Sequence, residues 1–323
     1  MRNPPLTDGL PESAQTSAQV DASTALGRPA LLATEDVREV FTYNPFAEMS
    51  AFIPPAVMQG YVILAVVAVF LGTVLDMLHK RSAEYFFKNA KKAEANAVRS
   101  VTTSQKAALV AQTVAGEVLT SSEFQNQQRR MSHLLTMYGF IAFVVTSAVL
   151  IFGYAGTEAQ APGWATALWH LGALMLCAGG YWFWFAIRVD VAAEGVKWYN
   201  FNGRGDFFIV GLLATATFGL LWSITQQAGG GMLTFIFFAL FVLSSAVLFG
   251  SVFWSKFAHM FFKPAAAYQK KVTKADGSRE NLPDDYDLSD PAVQAKFPDI
   301  PEYMGTNPGY MGLGIKREPP RHY

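Results

Sequence analysis

Five histidines, His79, His133, His170, His259 and His322, are the residues of this 323-residue chain best suited to hold a cofactor. Two stand in similar company. His133 lies in RRMSHLLTMYGF, 129–140, and His259 in FWSKFAHMFFKP, 253–264. In each, an imidazole and at least one cation sit at the edge of a long apolar run. Two imidazoles facing each other at one height in a helix bundle suit a six-coordinate b-type haem, whose propionates turn toward basic residues. Arg129, Arg130 and Lys256 are near enough in sequence to serve, and Gly139, Ala142, Ala246 and Gly250 are small enough to admit a flat ring. The competing reading is interfacial: histidines at span ends bonded to lipid headgroups or to neighbouring helix ends. His170, about two turns into its span at ~1.5 Å per residue, and His79, in the basic HKR end of another, are reserve ligand candidates. Each has a simpler reading, as a hydrogen bond to a neighbouring helix and as an ordinary basic end of a span.

Composition indicates what positions these residues. Hydrophobic residues make up 51% of the chain and charged ones 15%, against about a quarter in soluble domains. The deficit is concentrated in apolar blocks near the ~20 residues that a bilayer-crossing helix needs. Five qualify, at about 57–78, 134–154, 164–187, 207–225 and 232–258. An unpaired backbone group in hydrocarbon is costly, so these must be helices. The expected fold is an all-α, multi-pass membrane protein with a five-helix transmembrane bundle over residues 51–263. The single cysteine, Cys177, rules out an intrachain disulfide and a cysteine-ligated cluster, and reads as a small buried residue. The formal charge of zero gives no sign of nucleic-acid binding.

Among the connections, Lys and Arg fall in 79–132, in 188–206 and after residue 262, with Lys256 at the end of the fifth span, while loops 155–163 and 226–231 contain neither and the N-terminal tail has no Lys and only three Arg. That asymmetry predicts an outside N-terminus and a cytoplasmic C-terminus in the inner (cytoplasmic) membrane. Residues 1–50, rich in Pro, Ser, Thr and Ala, read as a disordered tail, without the apolar core of a cleavable signal peptide. Residues 79–132, rich in Ala, Lys and Gln, read as one or two cytoplasmic helices. Residues 264–323 read as an extended cytoplasmic tail whose aromatics and methionines, Tyr286, Phe297, Tyr303, Met304, Tyr310 and Met311, suit docking on a partner. Without a partner it would be a floppy tail.

The two histidine motifs resemble those of the membrane cytochrome b subunits of the nitrate reductase gamma and heterodisulfide reductase superfamily. Within it, NPFAEMSAFIPP, LDMLHKRSAEYFF and GYMGLGIKREPPRHY resemble the membrane anchors associated with dissimilatory adenylylsulfate reductase. The resemblance implies an electron-transfer subunit of an oxidoreductase complex in sulfur metabolism, rather than a catalytic chain. It would link a soluble flavin and iron–sulfur reductase on the cytoplasmic face to the quinone pool in the lipid. His133 and His259 match the family's ligands for the haem nearest the cytoplasm. Di-haem members carry a second, deeper histidine on the same two helices. Here the second span after His133 and the fifth before His259 have none, so at most one haem b is implied. Electrons could also pass directly from cluster to quinone. The alternative is a haem-free structural anchor without redox chemistry of its own. A transporter has little support, because the spans show no paired broken helices and no internal repeat.

Overall fold

The computed structural model describes residues 41–124, 126–156, 160–191, 193–280, 282 and 286–306. Among them the chain is all helical, and five helices are long and apolar enough to cross a membrane. The five are α2 (Pro55–His79), α5 (Gln127–Val149), α6 (Gly163–Trp182), α7 (Gly203–Gln227) and α8 (Met232–Gly250), with α1 (Pro45–Met49) preceding them and α3 (Ser82–Ala95) and α4 (Thr103–Gln112) between α2 and α5. A π-helical turn extends α5 to Tyr154 and another extends α6 to Ile187. The protein is therefore a multi-pass membrane protein. Helix alternation brings the connections 80–126 and 188–202 and the chain after Gly250 to one end, called the basic end below.

The helices start and stop for local reasons. Pro54 and Pro55 open α2, and Arg81, in left-handed backbone at φ 51°, turns the chain into α3. Gly229, Gly230 and Gly231 all take positive φ, at 107°, 77° and 87°, and make the tight reversal between α7 and α8. In lipid, apolar packing supplies little preference for one neighbour over another, so small residues and hydrogen bonds select helix partners. The seam between α5 and α6 is built that way. A Cβ on Gly139 would lie 2.6 Å from the Leu176 nitrogen, and one on Gly172 would lie 2.7 Å from the Phe143 nitrogen. Ser132 Oγ donates to the Gly179 carbonyl at 2.8 Å across the same seam.

Three expectations need correction. The fifth span does not run unbroken to residue 258. α8 ends at Gly250, and Ser255, in extended backbone, caps a 3-10 turn over Lys256–Ala258 with its Oγ 3.2 Å from the Phe257 nitrogen. A new helix, α9 (His259–Ala275), follows. The segment 1–50 is not a disordered tail throughout. Asn44 caps α1, and Phe46, 2% exposed, sits edge-on between Trp169 and Trp222, with ring centroids at 5.7 and 5.2 Å. Residues 1–40 lie outside the described residues. The C-terminal segment is not simply extended either. It forms α10 (Pro291–Lys296) and α11 (Asp299–Met304), with Asp290 Oδ1 capping the Ala292 nitrogen at 2.8 Å and Tyr286 edge-on to Phe297. Cap residues and prolines make these short turns, which leave no apolar periodicity to read.

At the basic end, residues 79–132 form the two expected helices, α4 opening on a capping box between Thr102 and Gln105. Helix α9 braces them. The Val98 and Arg99 nitrogens both donate to the Asp276 carbonyl, at 2.9 and 3.0 Å, and Lys92 pairs with Glu280.

Candidate functional site

His133 is carried on the second turn of α5 and His259 opens α9, both half-buried at the basic end. The two imidazoles share a neighbourhood: Phe124, packed on His133, also lies under the Nζ of Lys263, one turn after His259 in α9. Each has its Nδ1 occupied. His259 Nδ1–H donates to the Lys256 carbonyl, which fixes its tautomer because a carbonyl only accepts. His133 Nδ1 pairs with Ser121 Oγ at 3.1 Å. Nδ1 held by a neighbour with Nε2 left available is the usual arrangement of an imidazole that serves a ligand.

A π-helical turn over Thr113–Leu119 follows α4, and the residues after it, 120–124, close over His133. Phe124 lies against the imidazole, with centroids 5.0 Å apart, and carries two cations: Arg129 at 5.7 Å and Lys263 at 5.4 Å from the ring. Lys263 Nζ pairs with Glu123 Oε1 at 2.7 Å, and Arg129 with Glu194 at 2.7 Å. Phe208 of α7 packs edge-on to His259 at 5.9 Å. Burial pushes the His259 imidazole below the usual histidine range; the bond to the Lys256 carbonyl opposes this and Lys263 adds to it. The site thus presents a neutral His259 beside a lysine–glutamate pair. The sequence motifs contained His133, His259, Arg129 and Lys263, but nothing in SSEF marked Ser121, Glu123 and Phe124 as their partners.

The other histidines lie elsewhere. His170, 1% exposed, uses both nitrogens: Nδ1–H donates to the Thr166 carbonyl at 2.9 Å, and Nε2 accepts from Ser223 Oγ at 2.8 Å. It ties α6 to α7 and leaves no nitrogen for iron. His79 is exposed at the foot of α2, edge-on to Phe253 at 5.6 Å. His322 lies outside the described residues.

A cavity of about 500 Å³ runs between α2, α5, α7 and α8. At the basic end it is formed by Phe257, Met260 and Phe261, the residues flanking His259, and it reaches Ile53 and Val57 at the opposite end. Val57, Val66 and Phe261 both line it and are exposed, so it opens sideways along α2. Because it is open along one side, its apolar wall is filled from the surroundings rather than left empty. Water is a poor filler, because the hydroxyls in the wall are already bonded. Tyr61 Oη pairs with Ser245 Oγ at 2.7 Å, Ser147 Oγ donates to the Phe143 carbonyl at 2.7 Å, and Thr215 Oγ1 donates to the Gly211 carbonyl at 2.7 Å. The cavity calls for a hydrocarbon chain.

For haem, the donor type fits, and the small residues divide: Gly250 has open space around it, while those of the second span are packed. Imidazole nitrogen is an ordinary axial ligand for haem iron. Gly139, expected to make room for a porphyrin, is instead pressed backbone to backbone on α6, and a Cβ on Gly172 would meet Ala142 at 3.1 Å in the same seam. Neither His133 nor His259 lines the cavity. No cluster of three or more metal-ligating side chains occurs among the described residues. Compared with known protein families, curated proteins and solved structures, the chain gives no significant match.

Proposed function

We propose that the chain is the membrane subunit of a redox complex, exchanging electrons between a soluble flavin and iron–sulfur reductase and an isoprenoid quinone. The carrying observation is the continuity of the two features above: a hydrocarbon-lined cavity that begins at the residues flanking His259, beside a second imidazole. A quinone is a polar ring on a long apolar tail. In this reading the tail occupies the cavity and the ring lies at the basic end near His133 and His259, whose Nε2 atoms are available for its oxygens. Interconversion of quinone and quinol moves two electrons to or from the docked reductase and two protons to or from water at the basic end. The resemblance of the histidine motifs to quinone-linked cytochrome b subunits supports the same reading, and with it a soluble partner of the adenylylsulfate reductase type. The cross-braced α3, α4 and α9 offer that partner a rigid platform. In this orientation the basic end faces the cytoplasm and the membrane is the inner one.

The test separates tail from ring. Ala148 lines the cavity. Ala148→Phe is expected to weaken binding of a long-tailed quinone at least ten-fold and to leave a tail-less ring analogue unaffected. Equal binding of the long-tailed quinone by variant and parent would remove the cavity from the site. A b-type haem at His133 and His259 is the second reading, favoured by the two available Nε2 atoms. A reduced-minus-oxidised spectrum decides it: a b-type signal lost in both His133→Ala and His259→Ala establishes the haem. A blank spectrum with intact quinone binding leaves direct transfer between cluster and quinone. If neither haem nor quinone binds, the structural anchor remains.

Orientation has its own check. In spheroplasts, external protease is expected to cut within residues 1–40 and to spare a tag at residue 323. Cleavage of that tag from outside would reverse the topology.

A further inference from the structure

Ser121 is a left-handed, non-glycine residue, at φ 47°, and it is fully buried. Such a conformation is unfavourable for a residue with a Cβ and persists only where surrounding contacts over-determine it. The contacts are present. Tyr138 Oη donates to the Leu119 carbonyl at 2.7 Å, and Arg130 Nε donates to the Thr120 carbonyl at 2.7 Å. On the far side of Ser121, the Lys263–Glu123 pair and the two cations over Phe124 hold the loop to α9 and α5. The hydroxyl so placed pairs with His133 Nδ1. In either tautomer that bond occupies Nδ1, so Nε2 is the nitrogen left for a ligand.

We infer that Ser121 is a positioning residue. The strained loop 119–124 holds its hydroxyl against His133 Nδ1, fixes the plane of the ring and keeps Nε2 directed to the ligand. The inference rests on the reading of His133 as a ligand-contacting group. The loop therefore acts on the second imidazole as the Lys256 carbonyl acts on the first. His259 gets its partner from the turn that precedes it, whereas His133 gets its partner from the loop that precedes its helix.

Ser121→Gly tests this, because glycine accepts the left-handed backbone and removes only the hydroxymethyl group that carries the bond to His133. The full chain is placed in lipid nanodiscs, with ¹⁵N-labelled histidine and His133→Gln to assign the resonance. In Ser121→Gly the His133 Nδ1 resonance is expected to shift while those of His259 stay. The melting temperature should not fall, and affinity for a long-tailed ubiquinone should drop about ten-fold. An unmoved His133 resonance overturns the inference, and so does a moved resonance with unchanged quinone affinity. If the parent chain binds no quinone, the proposed function fails. The resonance measurement still decides whether Ser121 orders the ring.

Discussion

Asp206→Ala is expected to destabilise the protein by about 3–5 kcal/mol, the usual cost of stranding a buried charge. Arg188, just after the π turn that ends α6, is 2% exposed, and its guanidinium pairs with Asp206 in the first turn of α7. The same group donates to the Lys197 carbonyl at 3.2 Å and the Asn200 carbonyl at 2.8 Å, and lies 4.1 Å over the Trp184 ring. Asp206 Oδ2 also accepts from the Asn202 nitrogen at 2.7 Å. One ion pair thus fixes both ends and the middle of the connection between α6 and α7. Removing the carboxylate leaves the guanidinium with two neutral carbonyls and no counter-charge. Arg188→Lys is expected to be harmful too, because a lysine cannot reproduce the planar fork. Replacing both partners by leucine should recover much of the loss, since the stranded charge is then gone. Denaturant titration of the purified protein in micelles provides the check. A midpoint unmoved in Asp206→Ala would show that the pair is not a main support of this connection.

The Arg188–Asp206 pair also shows what the sequence withheld. The five spans were legible, because hydrocarbon permits few alternatives to an apolar helix. The helices of 79–132 were legible from composition. Where the spans break was not, and α8 shows why. FGSVFWSKFAH is apolar enough to continue a span, and the backbone and hydroxyl geometry of Ser251 and Ser255 ends it. The packed α1 was also hidden. NPFAEM is too short for periodicity, and Phe46 gains its place from Trp169 and Trp222, over 100 residues away in sequence. At the candidate site, His133 and His259 announced themselves as ligand-type residues at span ends. Their partner Ser121 did not, since a buried left-handed serine has no signature in sequence. His170 was legible as a deep polar residue, but which hydrogen bonds satisfy it depends on Thr166 and on Ser223 of another helix.

The small residues of the second span carry the remaining prediction, since their role is the reverse of the one their type suggests. Read along the chain, Gly139 and Ala142 look like room for a cofactor. In the bundle they close the seam with α6, and Gly179 continues that seam toward the basic end. A Cβ on Gly179 would stand 2.6 Å from the Ser132 carbonyl oxygen and 2.8 Å from the Thr136 nitrogen, both backbone atoms that cannot rotate away. Gly179→Ala therefore forces α5 and α6 apart. We expect a loss of about 1–3 kcal/mol, the range for overpacking, even though alanine is the better helix former by ~1 kcal/mol. Gly60→Ala, in α2 with no atom within 4 Å of its Cβ, is the control. It should be neutral or stabilising by about 0.5–1 kcal/mol. The displaced atom in Gly179→Ala belongs to Ser132, the residue before His133, so the strain is delivered at the candidate site. Quinone affinity should therefore fall together with stability in Gly179→Ala and stay unchanged in Gly60→Ala. Equal melting temperatures for the two variants would mean that the seam yields without cost and that close packing of α5 on α6 does not set the height of His133.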